Sequence, residues 1–306
     1  MTPPLLWSPE AAAAREAGRP LVALESTIIT HGLPHPRNLE VARALEEAVR
    51  EAGAAPATMA VMDGAIRVGL AEDDLQRLAD AREVAKLSRA DLAATLAAGR
   101  PGATTVAATM ICARLAGIEV FATGGIGGAH RGAEASWDVS ADLHELARTP
   151  VTVVAAGAKA ILDLPRTLEV LETLGVPVIG WRTDAFPAFW SRDSGLPAPL
   201  RMDAPAEVAR AHRMRGALGI EGGQLLANPI PAEAEIPAAT LAPLIAQAIA
   251  EAEAQAISAK AVTPFLLGRI LELTDGASLE ANIALALNNA RLAAQVAREL
   301  AALPRD

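Results

Sequence analysis

The sequence predicts an α/β fold: a three-layer α/β/α arrangement with a mostly parallel or mixed central sheet and a helical C-terminal part. Two observations carry this. Short runs of β-favouring residues alternate with longer segments whose apolar residues recur at helical spacing. The last third then reads as helix almost throughout.

Taken in order, residues 1–20 read as an N-terminal extension with some helix, and Leu21–Leu24 as a strand. Leu39–Ala52 is helical and stops at Gly53. Thr58–Met62 is a second strand. Thr104–Ala116 is expected to be a buried helix closed by Gly117. Ile118–Ala122 and Val151–Ala155 are apolar strands. Arg166–Leu174 is a helix ending at Gly175, and Val176–Ile179 and Leu225–Ala227 are strands. Between them, Thr183–Arg201 holds Phe186, Phe189, Trp190 and several prolines, so it reads as an ordered excursion over one end of the sheet. Ile236–Ala256 and Leu279–Leu303 are long helices. No repeat or linker divides residues 1–306, which are expected to form one domain.

Of the 306 residues 52% are hydrophobic, 21% charged and 3% aromatic, with no Tyr, so the core must be built from Ala, Val, Leu and Ile. The net charge is −9 and no Lys/Arg run stands out, which argues against polymeric nucleic acid but leaves a small anion open. The lone Cys112 permits neither an intrachain disulfide nor a cysteine metal cage, and it reads as a small buried hydrophobe. The N-terminus does not resemble a signal peptide, and the apolar stretch after Pro101 is broken at Arg114 and Glu119 before it reaches the ~18 residues a membrane span needs. No membrane partner is therefore expected, and the expected location is the cytoplasm.

Ligands of open α/β sheets bind beyond the carboxyl ends of the strands. Polar or Gly-rich residues recur there: Glu25-Ser26-Thr27, Asp63-Gly64, Thr123-Gly-Gly-Ile-Gly-Gly128, Ala156-Gly-Ala-Lys159 and Asn228. Lys159 is expected in the first turn of a helix. Desolvation and the positive helix end would both lower its pKa and favour the neutral amine that Schiff-base chemistry requires. The alternative is a lysine that snorkels to the surface. Glu25 could be a general acid or base, or a helix-end carboxylate.

Thr123–Gly132 fails the dinucleotide fingerprint because His130 stands where the third glycine belongs. Backbone amides cradling phosphate, aided by His130 and Arg131, fit the stretch better. Asp138 and Asp142, four residues apart, would share a helical face. They suit a hard ion such as Mg²⁺ or Mn²⁺, or else a solvated helix start capped by Ser140. Lys86 could bind phosphate or pair with a carboxylate. Asn282, on an apolar helix, needs a partner from a ligand or from the protein. His31 and His35 are too little by themselves to define a metal site.

Several of these segments together resemble one family. Glu25-Ser-Thr-Ile-Ile-Thr-His-Gly32, Gly102-Ala-Thr-Thr-Val-Ala-Ala-Thr109, Thr123–Gly128, Asp138-Val-Ser-Ala-Asp-Leu143, Ala156–Lys159, Ala227-Asn-Pro-Ile-Pro231, Val262-Thr-Pro-Phe-Leu-Leu267 and Ala281-Asn-Ile-Ala284 are similar to the pseudouridine-5′-phosphate glycosidases, which include indigoidine synthase A-like proteins. The resemblance runs from about Leu21 to Leu300.

It implies reversible cleavage of pseudouridine 5′-phosphate to uracil and ribose 5-phosphate, with Mn²⁺ and as a homotrimer. Lys159 matches the nucleophile that forms a Schiff base with C1′ of the opened sugar, Glu25 the proton donor and Asp138 the metal ligand. Lys86, Val106, Ser140, Ala141 and Asp142 match substrate contacts, with His130 near the phosphate and Asn282 near the uracil edge. A C-glycosidic bond offers no heteroatom leaving group to protonate, so paired-carboxylate hydrolysis does not suffice. Carrying C1′ as an iminium lets the bond break while a proton reaches C5 of uracil. The competing readings are a sugar or nucleoside kinase of the ribokinase type, and a non-catalytic sugar-phosphate-binding protein.

Overall fold

In a computed structural model, which describes residues 4–257 and 261–304, the chain builds one sheet from eleven strands. These are β1 (Leu5–Trp7), β2 (Leu21–Leu24), β3 (Ala55–Met62), β4 (Ala65–Val68), β5 (Ala85–Leu87), β6 (Gly102–Thr104), β7 (Val120–Ala122), β8 (Thr152–Ala155), β9 (Val178–Trp181), β10 (Leu200–Met202) and β11 (Gln224–Ala227). Their order is β1-β4-β3-β2-β7-β8-β11-β9-β10, with β6 branching from β3 and β5 lying on β6. Every pairing is parallel except β3–β4 and β3–β6.

Helices cover both faces. Ala277–Ala302 packs on β2, β7 and β8 and against the helices Arg37–Glu51 and Pro205–Ala217. Val106–Leu115 packs on β2, β3 and β7 from the other side and against Ala141–Leu146. The central strands, covered twice, are continuously apolar rather than alternating: Thr152–Ala155 and Gln224–Ala227 are buried throughout. Aliphatic side chains fill the core, as the composition predicts, and Phe121, Phe186 and Trp190 are its largest buried members. Cys112 lies in that core, where burial pushes its thiol up to about 12. Among the described residues no helix is long and apolar enough to cross a membrane.

Several expectations are corrected. The N-terminal segment is no extension: Leu5–Trp7 forms the edge strand beside β4, and Ser8 caps the helix Pro9–Glu16. The short strands β1, β4, β5 and β6 carry too little periodicity to read, whereas β7, equally short, is legible because its apolar run begins at Ile118. Thr104 ends β6 instead of opening the buried helix, which starts at Val106 after the cap Thr105. The excursion packs against the sheet end as expected, and its last two residues, Leu200 and Arg201, open the strand Leu200–Met202 that extends the sheet beside β9.

Candidate active site

From β2 the chain continues to β3 on one side, whereas from β7 it continues to β8 on the other. A crevice must open where the two strand directions of travel diverge, beyond their carboxyl ends. There the structure has a cavity of about 430 Å³, within the ~300–1,000 Å³ range typical of ligand sites. The ten residues that the family resemblance marks as site residues line it: Glu25, Lys86, Val106, His130, Asp138, Ser140, Ala141, Asp142, Lys159 and Asn282.

Glu25 follows the last residue of β2. Thr27 donates its hydroxyl to one carboxylate oxygen and Thr123, at the end of β7, donates to the other. The carboxylate is thereby fixed between two strand ends. Lys159 is half-buried, in the loop after β8. Its N–H donates to the Ile126 carbonyl at 3.1 Å, which ties its loop alongside the glycine loop. The next helix begins only at Leu164, capped by Asp163, so Lys159 is not in a first helical turn and the expected helix-end contribution falls away. Lys86 reaches the cavity from β5. Strand β6, beside it, is held by Ser26, whose hydroxyl accepts from Thr104 N–H at 2.9 Å, and by Thr104, whose hydroxyl donates to the Met59 carbonyl at 2.9 Å.

The positive charges converge. Burial lowers the His130 pKa; Asp138 opposes this, and Lys159 and Lys86 add to it. His31, which also lines the cavity, is lowered by burial and by Lys86, against a hydrogen bond with the Val84 backbone. Both imidazoles are therefore predominantly neutral at pH 7, between two lysines. The mixture of Lys86 and neutral imidazole donors suits a phosphate group.

The glycine loop is bonded into the protein at several positions, while Gly124 and Gly125 line the cavity. Ile126, Gly127, Ala129 and His130 spend their N–H groups on Gly157, Asp142, Thr167 and Asp138, so these amides are not available to a phosphate. Close packing also requires three of the glycines. A Cβ on Gly125 would meet the Phe189 ring at 2.7 Å, and one on Gly127 or Gly128 would strike Ser140 or Thr167. Arg131 is exposed outside the cavity lining.

Asp138 and Asp142 share no helical face. Asp138 lies outside any helix, its carbonyl accepting from His130 N–H at 2.9 Å. Asp142 is in the first turn of Ala141–Leu146, capped by Ser140. Its carboxylate is buried and accepts from Ala107 N–H at 2.9 Å and Gly127 N–H at 2.8 Å, clamping the start of the Val106–Leu115 helix to the glycine loop.

Two of the five strand ends do not contribute to the cavity. Asp63 and Gly64 form the β3–β4 turn, with Asp63 paired to Arg67 and Arg77. Asn228 instead donates its side-chain amide to Asn289 at 2.9 Å. Asn289, fully buried and not singled out from the sequence, donates to the carbonyls of Thr123 at 2.8 Å and Gly124 at 3.3 Å. It stands seven residues after Asn282 on the same helical face, the spacing that could have revealed it. His35 is at the surface beside Asp80 and does not join His31.

The comparisons agree in one direction. The family described as indigoidine synthase A like protein matches residues 10–299. The pseudouridine-5′-phosphate glycosidase of Jannaschia sp. (strain CCS1) is 72% identical over 300 residues, 98% of this chain and 99% of that one. The prealnumycin C-glycosynthase AlnA, solved in complex with ribulose 5-phosphate, has a TM-score of 0.90 at 40% identity, with 98% of this chain and 97% of that chain covered. An indigoidine synthase A (IdgA)-like protein from Thermotoga maritima has a TM-score of 0.89 at 35% identity, covering 98% of both chains. A match over nearly the whole chain displaces the ribokinase-type alternative.

Proposed function

The chain belongs to the indigoidine synthase A like family, and from that premise we propose that it is a pseudouridine-5′-phosphate glycosidase acting through a Schiff base on Lys159. One observation carries the mechanistic reading. Lys159 and Glu25, from the ends of β8 and β2, line the same cavity as Lys86 and His130. An amine, a carboxylate and a cationic end are what the reaction needs.

In the bond-forming direction, Lys159 Nζ adds to the C1′ aldehyde of ring-opened ribose 5-phosphate and water leaves, giving an iminium. The iminium is the electron sink: the C5=C6 pair of uracil adds to C1′, and C5 then gives up its proton to the Glu25 carboxylate. Ring closure by the C4′ oxygen returns the C1′–N electron pair to Lys159. Cleavage is the reverse, with Glu25 delivering the proton to C5 as the C1′–C5 bond breaks, and with water releasing the sugar. Lys86 and His130 bind the phosphate, and Ser140, Ala141 and Val106 line the substrate. Asp142 acts by fixing the two backbone segments around it.

We propose Asp138 as the protein ligand of Mn²⁺. Among the described residues no group of three His, Cys, Asp or Glu side chains could hold a metal ion. The half-buried Asp138 carboxylate lines the cavity and offers one hard oxygen. This fits an ion that keeps most of its waters and takes one or two carboxylates, the usual mode for small hard cations. When bound, it would supply positive charge to oxygens of the substrate. A homotrimer and a cytoplasmic location complete the proposal, and sedimentation tests the first.

The deciding experiment is mass spectrometry after borohydride reduction with ribose 5-phosphate. The proposal expects one reduced pentose phosphate on Lys159. A protein that binds the sugar phosphate but forms no adduct would be the non-catalytic alternative.

A further inference from the structure

We infer that Trp190 is a positioning residue that fixes the Asn282 side-chain amide with its NH₂ toward the bound base, making the site selective for a ring carbonyl over a ring amine. The inference rests on the proposed function for the presence of a base in the cavity.

Trp190 belongs to the aromatic excursion, the one sequence feature that the chemistry above leaves unused. It is fully buried, and its Nε1 lies 2.7 Å from Asn282 Oδ1 and 3.1 Å from the Ser278 carbonyl. An indole N–H can only donate. The amide must therefore turn its oxygen to Trp190, because the reversed amide would set two donors against each other. That leaves Nδ2 as the other branch of a side chain that lines the cavity, and among the described residues Nδ2 has no hydrogen-bond partner. The cavity thus meets a donor.

The indole is itself held. The Trp190 carbonyl accepts from Ile236 N–H at 2.9 Å, and its ring packs on Phe189 with centroids 5.0 Å apart. Phe189 lines the same cavity, and its N–H donates to the Ala156 carbonyl at 3.0 Å, three residues before Lys159. The element that orients Asn282 is therefore bonded to the loop that carries the amine.

Uracil offers two carbonyl acceptors, O2 and O4. Cytosine replaces O4 with an amine, and isocytosine replaces O2. Whichever edge meets Nδ2, the matching analogue places a donor against a donor and leaves both unpaired.

The test measures inhibition of pseudouridine 5′-phosphate cleavage by uracil, cytosine and isocytosine. The wild-type protein should favour uracil over one of the two analogues by about tenfold or more, the loss expected for one unpaired buried donor. Trp190→Phe frees the amide to turn, so the ratio should shrink to within about threefold, and because it is a ratio any general loss of activity in the variant cancels. Asn282→Asp keeps an acceptor for Trp190 but presents oxygen to the cavity, so the preference should turn toward the amine-bearing base. A purely structural role for Trp190 would move none of these ratios. Equal ratios in wild type and Trp190→Phe, or a uracil preference surviving in Asn282→Asp, overturn the inference. A wild-type protein that traps the sugar but does not rank the bases overturns it alone, whereas one that traps no sugar overturns the proposed function.

Discussion

Replacing Asn289 with leucine tests how the protein's interior supports its chemistry. The side chain is fully buried and contributes nothing to the cavity lining. It accepts from the Asn228 amide at 2.9 Å and donates to the Thr123 carbonyl at 2.8 Å. Leucine is of similar bulk, so the packing loss is small, but the Asn228 amide and the Thr123 carbonyl are orphaned. Each buried unpaired group costs ~1–3 kcal/mol, so the substitution should cost roughly 2–6 kcal/mol. That is a large share of the ~5–15 kcal/mol that holds a domain together. Urea denaturation should show a lower midpoint with an unchanged slope. Thr123 also donates its hydroxyl to Glu25, so turnover should fall by more than sugar trapping on Lys159 does. A stability within ~0.5 kcal/mol of wild type, or trapping and turnover falling in step, would refute the reasoning.

Lys159→Ala should abolish turnover and the borohydride adduct while the melting temperature stays near wild type; measurable cleavage removes Lys159 as the nucleophile. Glu25→Gln keeps the side chain's shape but cannot exchange the C5 proton, so turnover should fall at least ~100-fold, the lower range for general acid–base catalysis; wild-type rates would exclude it. Exhaustive chelation should remove activity and added Mn²⁺ restore it, and Asp138→Ala should raise the Mn²⁺ needed; full activity without metal refutes the proposal for Asp138. Burial alone would raise the Glu119 pKa, but hydrogen bonds from His212 and Arg213 outweigh it and bring the carboxyl to about 2, against an ordinary 4.5. Between those values the native protein binds fewer protons than the unfolded chain, so this contribution is present above pH 4.5 and is lost as pH falls toward about 2. Glu119→Gln should flatten the dependence of stability on pH in that window, and an unchanged slope refutes the assignment.

What was legible in the sequence divides along physical lines. Apolar strands flanked by Gly-rich or charged turns declare themselves because burial on two faces demands an unbroken apolar run, as at Val153–Val154. Their carboxyl ends then place Glu25, Thr123 and Lys159 at one edge without further information. The second layer of contacts is not written that way. Nothing local to Asp142 says that its oxygens serve Ala107 and Gly127, which are far away in the chain. Composition does not show which glycines of residues 124–128 are required by the closeness of Phe189, Ser140 or Thr167. The alanine-rich sequence around Lys159 favours a helix, yet the Ile126–Ala158 bridge holds this segment against the glycine loop.

The wiring of Trp190 to Asn282 has a spectroscopic consequence. The protein has four tryptophans and no tyrosine, so its near-ultraviolet emission is almost wholly indole light. Trp137 is 84% exposed, Trp7 and Trp181 stack under Arg15 and Arg182, and only Trp190 is wholly shielded from solvent. The blue edge of the emission, inaccessible to iodide, therefore belongs to Trp190. A change in that band on adding a nucleobase would report on Trp190 through its hydrogen bond to Asn282.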